Sequence, residues 1–188
     1  LAIFLDGSIR HTAVLPIGGR NLTKDLAIGL LTSQTDAEKI KVQHGIARTE
    51  LVHGHQMVEV PSVGDRPPRQ FTRRDIAEIL EPRVEEMFDL VKREIVRAGY
   101  EGMLGAGVVI TGGTSLLEGM PDAAERGLNL PARRGMPTGI GGLRDIVSNP
   151  MHATGVGLLL HARQHADNLE AAGIRHGKGL GKVFDRMR

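Results

Sequence analysis

Two apolar-rich runs open the chain, residues 1–5 and 9–15, with Asp6-Gly7 between them. An Asp-Gly pair accepts the positive φ angles of a two-residue turn, so the start reads as a β-hairpin. Gly18-Gly19 interrupts the strand pattern, and Leu22, Leu26, Gly29 and Leu30 then recur on one face of a helix. After a polar gap, a second helix is predicted over about residues 36–44. The opening order is β, β, α, α.

Over residues 46–69 the texture shifts to short Val-containing strands such as Met57-Val-Glu-Val60, broken by Pro61, Gly64, Pro67 and Pro68. The shift suggests an inserted subdomain. Thr72 offers an N-cap with Asp75 three residues on, ahead of Ile76, Ile79, Leu80, Val84, Met87, Phe88, Val91 and Ile95 at helical spacing. Pro82 lacks an N–H, so this long helix is expected to kink there or restart with Pro82 in its first turn, and Gly99 closes it. Next come a strand (residues 107–111), a glycine turn, a helix (about 117–127), an extended piece (131–134), a glycine-rich loop and a helix (about 150–164). The stretch 167–181 has little periodic hydrophobicity and several glycines, which reads as a flexible linker.

With 188 residues and 40% hydrophobic content, the chain can bury a real core as one domain or two small subdomains. Lys plus Arg number 24 against 22 acids, so charge-based recognition must come from local clusters, and a bulk nucleic-acid binder is disfavoured. Four Phe, one Tyr and no Trp leave few platforms for stacking unpaired bases. The absence of Cys removes disulfides, thiolate catalysis and thiolate metal sites. The most apolar stretches, 105–110 and 156–160, fall far short of the roughly 20 residues that span a bilayer. The first residue is Leu1 within a strand pattern, so an upstream segment is expected.

Val108-Val-Ile-Thr-Gly-Gly-Thr-Ser115 is a buried-type strand running into a glycine turn before a helix. Such a turn lets a ligand approach the backbone and aims the free amides of a helix start at it. The pattern alone leaves two readings open, close packing or nucleotide contact. Glu38 and Lys41, three apart on a helix, share one face; alone they make either a solvated ion pair or a grip on one sugar or base edge. His161 and His165 are spaced for a metal but lack an evident third ligand, and Ser115 has no evident catalytic His. Arg66, Arg69, Arg73, Arg74 and Arg83 concentrate basic charge around the start of the long helix. Their forks suit a carboxylate-rich peptide, or pair with Asp75, Glu78, Glu81, Glu85 and Glu86 on the same helix. Leu180, Val183, Phe184 and Met187 fall at i, i+3, i+4 and i+7, with Lys182, Arg186 and Arg188 on other faces. That is the pattern of a short basic amphipathic helix for an anionic membrane surface, or of a frayed tail.

Thr111-Gly-Gly-Thr-Ser-Leu-Leu-Glu-Gly119 resembles the adenosine motif of the actin, Hsp70 and sugar-kinase superfamily. Gly139-Ile-Gly-Gly-Leu143, Asn149-Pro-Met-His-Ala-Thr-Gly-Val-Gly-Leu-Leu-Leu160, and Val60-Pro-Ser-Val-Gly-Asp-Arg-Pro-Pro-Arg69 followed by Ile79-Leu-Glu-Pro-Arg83 are similar to the FtsA family of bacterial cell-division proteins. The resemblance implies an α/β, actin-like second lobe: a mixed sheet flanked by helices, with a smaller inserted α/β subdomain. Residues 1–45 and 103–164 would form the nucleotide-facing part and 46–102 the inserted subdomain, with 165–178 a linker and 179–188 a membrane-targeting segment.

It further implies that Gly18, Gly19, Glu38, Lys41, Gly112, Gly113, Thr114 and Ser115 face ATP, with Mg²⁺ held mainly by the phosphate hairpins of the missing half. No metal site, no catalytic residue and no turnover are expected here; the full-length protein would be at most a weak ATPase. Arg66, Arg69, Arg74 and above all Arg83 would meet the FtsZ C-terminal tail. Leu180, Lys182, Val183, Phe184, Arg186 and Met187 would lie on the membrane. Implied partners are FtsZ, further copies of the protein in a filament and other divisome proteins, with no nucleic acid, at the inner face of the cell membrane at the septum. The alternatives are a lobe of an actin-superfamily sugar or acetate kinase, and another actin-like scaffold such as MreB or PilM.

Overall fold

A computed structural model describes residues 1–64, 66–139 and 147–171, of which 166–171 are described by their backbone alone. Strands β1 (Ala2–Leu5) and β2 (Ser8–Thr12) pair antiparallel in the register Leu5↔Ser8. Asp6 (φ 52°) and Gly7 (φ 74°) both adopt the left-handed conformation that the two-residue turn requires, as expected. Helix α1 (Gly19–Gly29) follows, and Leu22, Leu26 and Leu30 are completely buried. Each such leucine contributes about 1.5–3 kcal/mol. Helix α2 (Gln34–His44) starts two residues before the predicted position, because the Ser33 hydroxyl accepts the Asp36 N–H at 3.1 Å and donates to the Asp36 carboxylate at 2.8 Å.

Strands β3 (Met57–Val60) and β4 (Arg69–Thr72) make a second hairpin, with Val58 and Val60 turned into the core. Its last residue, Thr72, caps helix α3 (Arg73–Arg97). The Asp75 N–H donates to the Thr72 hydroxyl at 3.1 Å, and the Thr72 N–H to the Asp75 carboxylate at 2.7 Å, completing the capping box. Helix α3 continues through Pro82 rather than restarting there. Buried residues on both sides of it, Ile76, Ala77 and Leu80 before and Val84, Phe88 and Ile95 after, outweigh one missing hydrogen bond. Gly99 (φ 78°) closes α3 with the Gly99 N–H on the Val96 carbonyl and the Tyr100 N–H on the Ile95 carbonyl, a Schellman ending.

Strands β5 (Val108–Ile110) and β6 (Ala132–Arg134) form a third two-stranded sheet, and helix α4 (Met120–Leu128) lies between them in sequence. In place of the one mixed sheet expected, the described residues form three two-stranded sheets flanked by helices. Helix α5 (Ala153–Ala171) follows a 3-10 turn at Pro150–His152. It runs past 164, so residues 165–171, expected to begin a linker, are helical instead.

The chain packs as two compact units. One comprises Leu1–Val109 and Leu116–Arg133; the other comprises Ile110–Ser115 and Arg134–Arg188. In the first unit α3 is the central element and touches α1, α4 and β4. A bridge between Ile46 and Glu118 ties the segment after α2 to the segment before α4, and the Ala47 N–H donates to the Glu118 carbonyl at 2.8 Å.

The end of α3 is pinned to the first hairpin by charge. Glu94, nearly buried, meets His11 Nε2 at 2.8 Å and accepts from Arg97 at 2.6 and 2.8 Å. Hydrogen bonds from Arg97 and then His11 outweigh the upward push of burial and hold the Glu94 carboxyl down to about 2, against an ordinary 4.5. A depressed carboxylate contributes stability that is present above its unfolded value and disappears as pH falls through its folded value. Melting temperature should therefore decline between about pH 4.5 and 2 more steeply in the native protein than in Glu94→Gln, and Glu94→Gln should melt lower at pH 6. Equal pH slopes in calorimetric melts would show that the tether does not hold the hairpin.

Candidate functional site

In the first unit, the first two turns of α1 and the middle of α2 present a polar cluster. Gly18 precedes α1 in an extended conformation, and its N–H donates to the Asn21 side chain at 3.0 Å. Lys41 is buried, and its ammonium spends its three donors on the Gly19 carbonyl (3.1 Å), the Thr23 hydroxyl (2.9 Å) and the Glu38 carboxylate (2.7 Å). Thr23 accepts from Lys41 and holds one proton for either Glu38 or the Gly19 carbonyl. Burial pushes the Glu38 carboxyl up, but hydrogen bonds from Lys41 and Thr23 and the Lys41 charge hold it below the ordinary carboxylate value.

The structure thus joins two pairs that the sequence placed separately, Gly18-Gly19 and Glu38/Lys41, through Thr23. Thr23 was missed because a threonine beside an apolar stripe carries no signal of its own. The two charged partners differ in what they leave free. Lys41 is a strut with no donor to spare, whereas the Glu38 side chain is 52% exposed and uses only Oε2.

The glycine loop belongs to the second unit. Gly112 has φ 90°, which favours glycine, and a Cβ there would meet nothing within 4 Å. The requirement is therefore the backbone conformation, and the space above it is open. The Gly112 N–H donates to the Pro150 carbonyl at 3.1 Å, which ties the loop to the Asn149-Pro150 motif, where the Asn149 side chain accepts the Met151 N–H at 3.0 Å. The Ser115 hydroxyl is buried and donates to the Gly112 carbonyl at 2.7 Å, while Arg134 Nε caps the Ser115 carbonyl at 2.6 Å. Ser115 accordingly braces the loop, while Gly113 is exposed and Thr114 half-buried.

One expectation needs correction: the loop does not open an α-helix. It enters a 3-10 turn, Gly113–Leu116, and α4 begins only at Met120 after Gly119 at φ 74°. The amides available at the loop are those of Gly113 and Thr114 at the start of that turn, for which the described residues supply no backbone acceptor.

The arginines divide sharply. Arg69 donates to the Leu30 carbonyl and lies over the Phe71 ring at 5.1 Å. Arg74 makes an exposed pair with Glu78 at 3.1 Å, and Arg66 is exposed. Arg83 grips Asp25 of α1 with a bidentate fork, Nε to Oδ2 at 2.6 Å and Nη2 to Oδ1 at 3.1 Å, and Nη1 also reaches Glu86. The Asp25 hydrogen bond raises the Arg83 pKa against the opposing pull of burial. Same-helix pairing was anticipated for Arg83; its partner Asp25 on another helix was not.

His161 and His165 face each other on α5 with ring centroids 5.0 Å apart. No cluster of three metal-ligating side chains exists among the described residues. Residues 140–143 of the second glycine motif, and Leu180, Lys182, Val183, Phe184, Arg186 and Met187 of the amphipathic segment, lie outside the described residues.

An α/β chain with a glycine loop after a strand, and with helices flanking paired strands, has the architecture of actin-like proteins. It superimposes on MreB5 of Spiroplasma citri bound to ADP with a TM-score of 0.68 at 16% identity, covering 90% of this chain and 51% of that one. That likeness establishes the fold. The family model described as cell division protein FtsA matches residues 1–157, and the chain belongs to the FtsA family. Over 164 residues it is 48% identical to cell division protein FtsA of Pseudomonas aeruginosa, covering 87% of this chain and 39% of that protein. Against cell division protein FtsA of Escherichia coli K12 it is 40% identical, covering 91% of this chain and 42% of the relative. The chain therefore spans about two fifths of the length of these relatives.

The uneven roles of Lys41 and Glu38 are measurable. Lys41→Met strips three hydrogen bonds from a buried cluster and should destabilise the protein by about 2 kcal/mol, whereas Glu38→Gln, half exposed, should cost under about 1 kcal/mol. Urea denaturation midpoints giving equal losses would contradict the strut role of Lys41.

Proposed function

We propose that the protein is an actin-like scaffold of bacterial cell division that ties FtsZ filaments to the cytoplasmic membrane and assembles with copies of itself. ATP is the assembly ligand. Family membership over residues 1–157 is the observation that carries this reading. Nothing in the chain favours the kinase alternative.

Each unit, taken by itself, offers groups suited to a nucleotide. Glu38 keeps one carboxylate oxygen uncommitted, suited to accept from ribose hydroxyls, and Lys41 and Thr23 hold that carboxylate ionised and aimed. Gly18 and Gly19 keep the adjacent backbone free of side chains. Gly112 and Gly113 offer bare backbone to the adenosine, with the Gly113 and Thr114 amides as donors and Ser115 as the brace. The ADP bound to MreB5 of Spiroplasma citri belongs to the same chemical class. The Mg²⁺ that accompanies ATP is assigned to residues outside this segment. Bound ATP supplies free energy that favours the assembling conformation.

The FtsZ C-terminal tail is assigned to the arginine-bearing face around Arg66, Arg69, Arg74 and Arg83. Arg83 already shows the bidentate carboxylate grip that an acidic peptide would use. Residues 165–178 are assigned to the connection, part of it helical as far as Ala171, and 179–188 to the membrane contact. No helix among the described residues is long and apolar enough to cross a membrane. A basic amphipathic segment would instead place the protein peripherally at the septum, where it meets other divisome proteins.

In the full-length protein, Glu38→Gln, which keeps an oxygen acceptor for Lys41, should weaken ATP binding about tenfold by titration calorimetry with little loss of thermal stability; a change within twofold would remove Glu38 from the site. In vesicle sedimentation with anionic lipid, the full-length protein should carry FtsZ filaments into the pellet. Deleting residues 179–188 should abolish that co-sedimentation while leaving binding of the FtsZ tail peptide unchanged. Undiminished pelleting after the deletion would refute the membrane assignment.

A further inference from the structure

The Arg83 guanidinium is both presented and occupied. Its Nε/Nη2 edge holds Asp25 in a bidentate fork and Nη1 reaches Glu86, yet its side chain is still 30% exposed. A guanidinium offers a carboxylate few such edges, and here the chain's own carboxylates hold them. Asp25 sits on α1 one turn before Ile28, which is exposed, so an accessible apolar side chain lies one turn along α1 from the residue that holds Arg83.

A peptide carboxylate arriving at Arg83 would take the position that Asp25 holds. Exchanging one carboxylate for another on the same fork leaves the number of charge-assisted hydrogen bonds nearly constant. It also brings the displaced Asp25 charge close to the incoming one. A lone acidic residue therefore gains little, and net affinity must come from apolar contacts made beside it.

We propose that Asp25 is an internal competitor for Arg83, a resident carboxylate that lowers the affinity of this face for acidic peptides and restricts it to those that also bring apolar contacts. This rests on the reading of Arg83 as a contact for the FtsZ tail. A different role for Asp25, aiming Arg83 at the peptide, makes the opposite prediction.

The probe is the FtsZ C-terminal tail peptide titrated by fluorescence anisotropy into the full-length protein, as the native form, Asp25→Asn, Arg83→Ala and the double variant. Circular dichroism melts verify folding, and Asp25→Ser replaces Asp25→Asn if the latter is unstable. Asp25→Asn should tighten binding about three- to tenfold, and only while Arg83 is present. A tail peptide with its acidic residues changed to amides should gain nothing. If Arg83→Ala weakens binding but Asp25→Asn leaves it unchanged or weaker, the competitor role is overturned and the Arg83 contact stands. If neither variant changes affinity, both fall.

Discussion

The first unit depends on the burial of one stripe of α3. Ile76, Ala77, Leu80 and Val84 are sealed completely, and Phe88 and Ile95 nearly so. From that stripe α3 organises its surroundings, since it touches α1 on one side and α4 on another and is entered directly from β4. The burial carries the helix through Pro82, where propensity alone would stop it, because several buried side chains on either side outweigh one absent hydrogen bond. It also fixes the bearings of the polar groups on α3, so that Arg83 meets α1 and Glu94 meets the first hairpin.

Those polar contacts follow from the cost of leaving a charge without a partner near a core. Lys41 is buried, and all three of its donors are matched, by a carbonyl, a hydroxyl and a carboxylate from two helices. Satisfying that one ammonium aligns the start of α1 with α2. The same cluster leaves the outer oxygen of Glu38 available. Rigidity and an exposed acceptor thus arise from one network, with the cation supplying the first and the carboxylate the second. In the glycine loop the division is similar: Ser115 is turned inward as a brace, while the left-handed backbone of Gly112 leaves the outer surface bare.

Much of this was legible from the residues. The Asp6-Gly7 turn, the Leu22/Leu26/Leu30 stripe, the Thr72–Asp75 cap, the Gly99 ending and the β3 strand all occur as the pattern predicts. The glycine loop and the Glu38/Lys41 spacing pointed to the candidate site. These signals survive because each is local: a turn, a cap or an amphipathic face is set by residues within a few positions of one another, and its period is written in the chain.

What the tertiary structure alone decided are the pairings between distant positions. Asp25 and Arg83 are 58 residues apart, and His11 and Glu94 are 83 apart. Thr23 became the link between two separately noticed pairs, and the loop at Gly112 proved to open a 3-10 turn rather than α4. Periodicity names the face a side chain occupies but not which other face will lie against it. That depends on how the elements pack, so the sequence could specify the parts of the site, and only packing could determine which charges hold one another and which remain free.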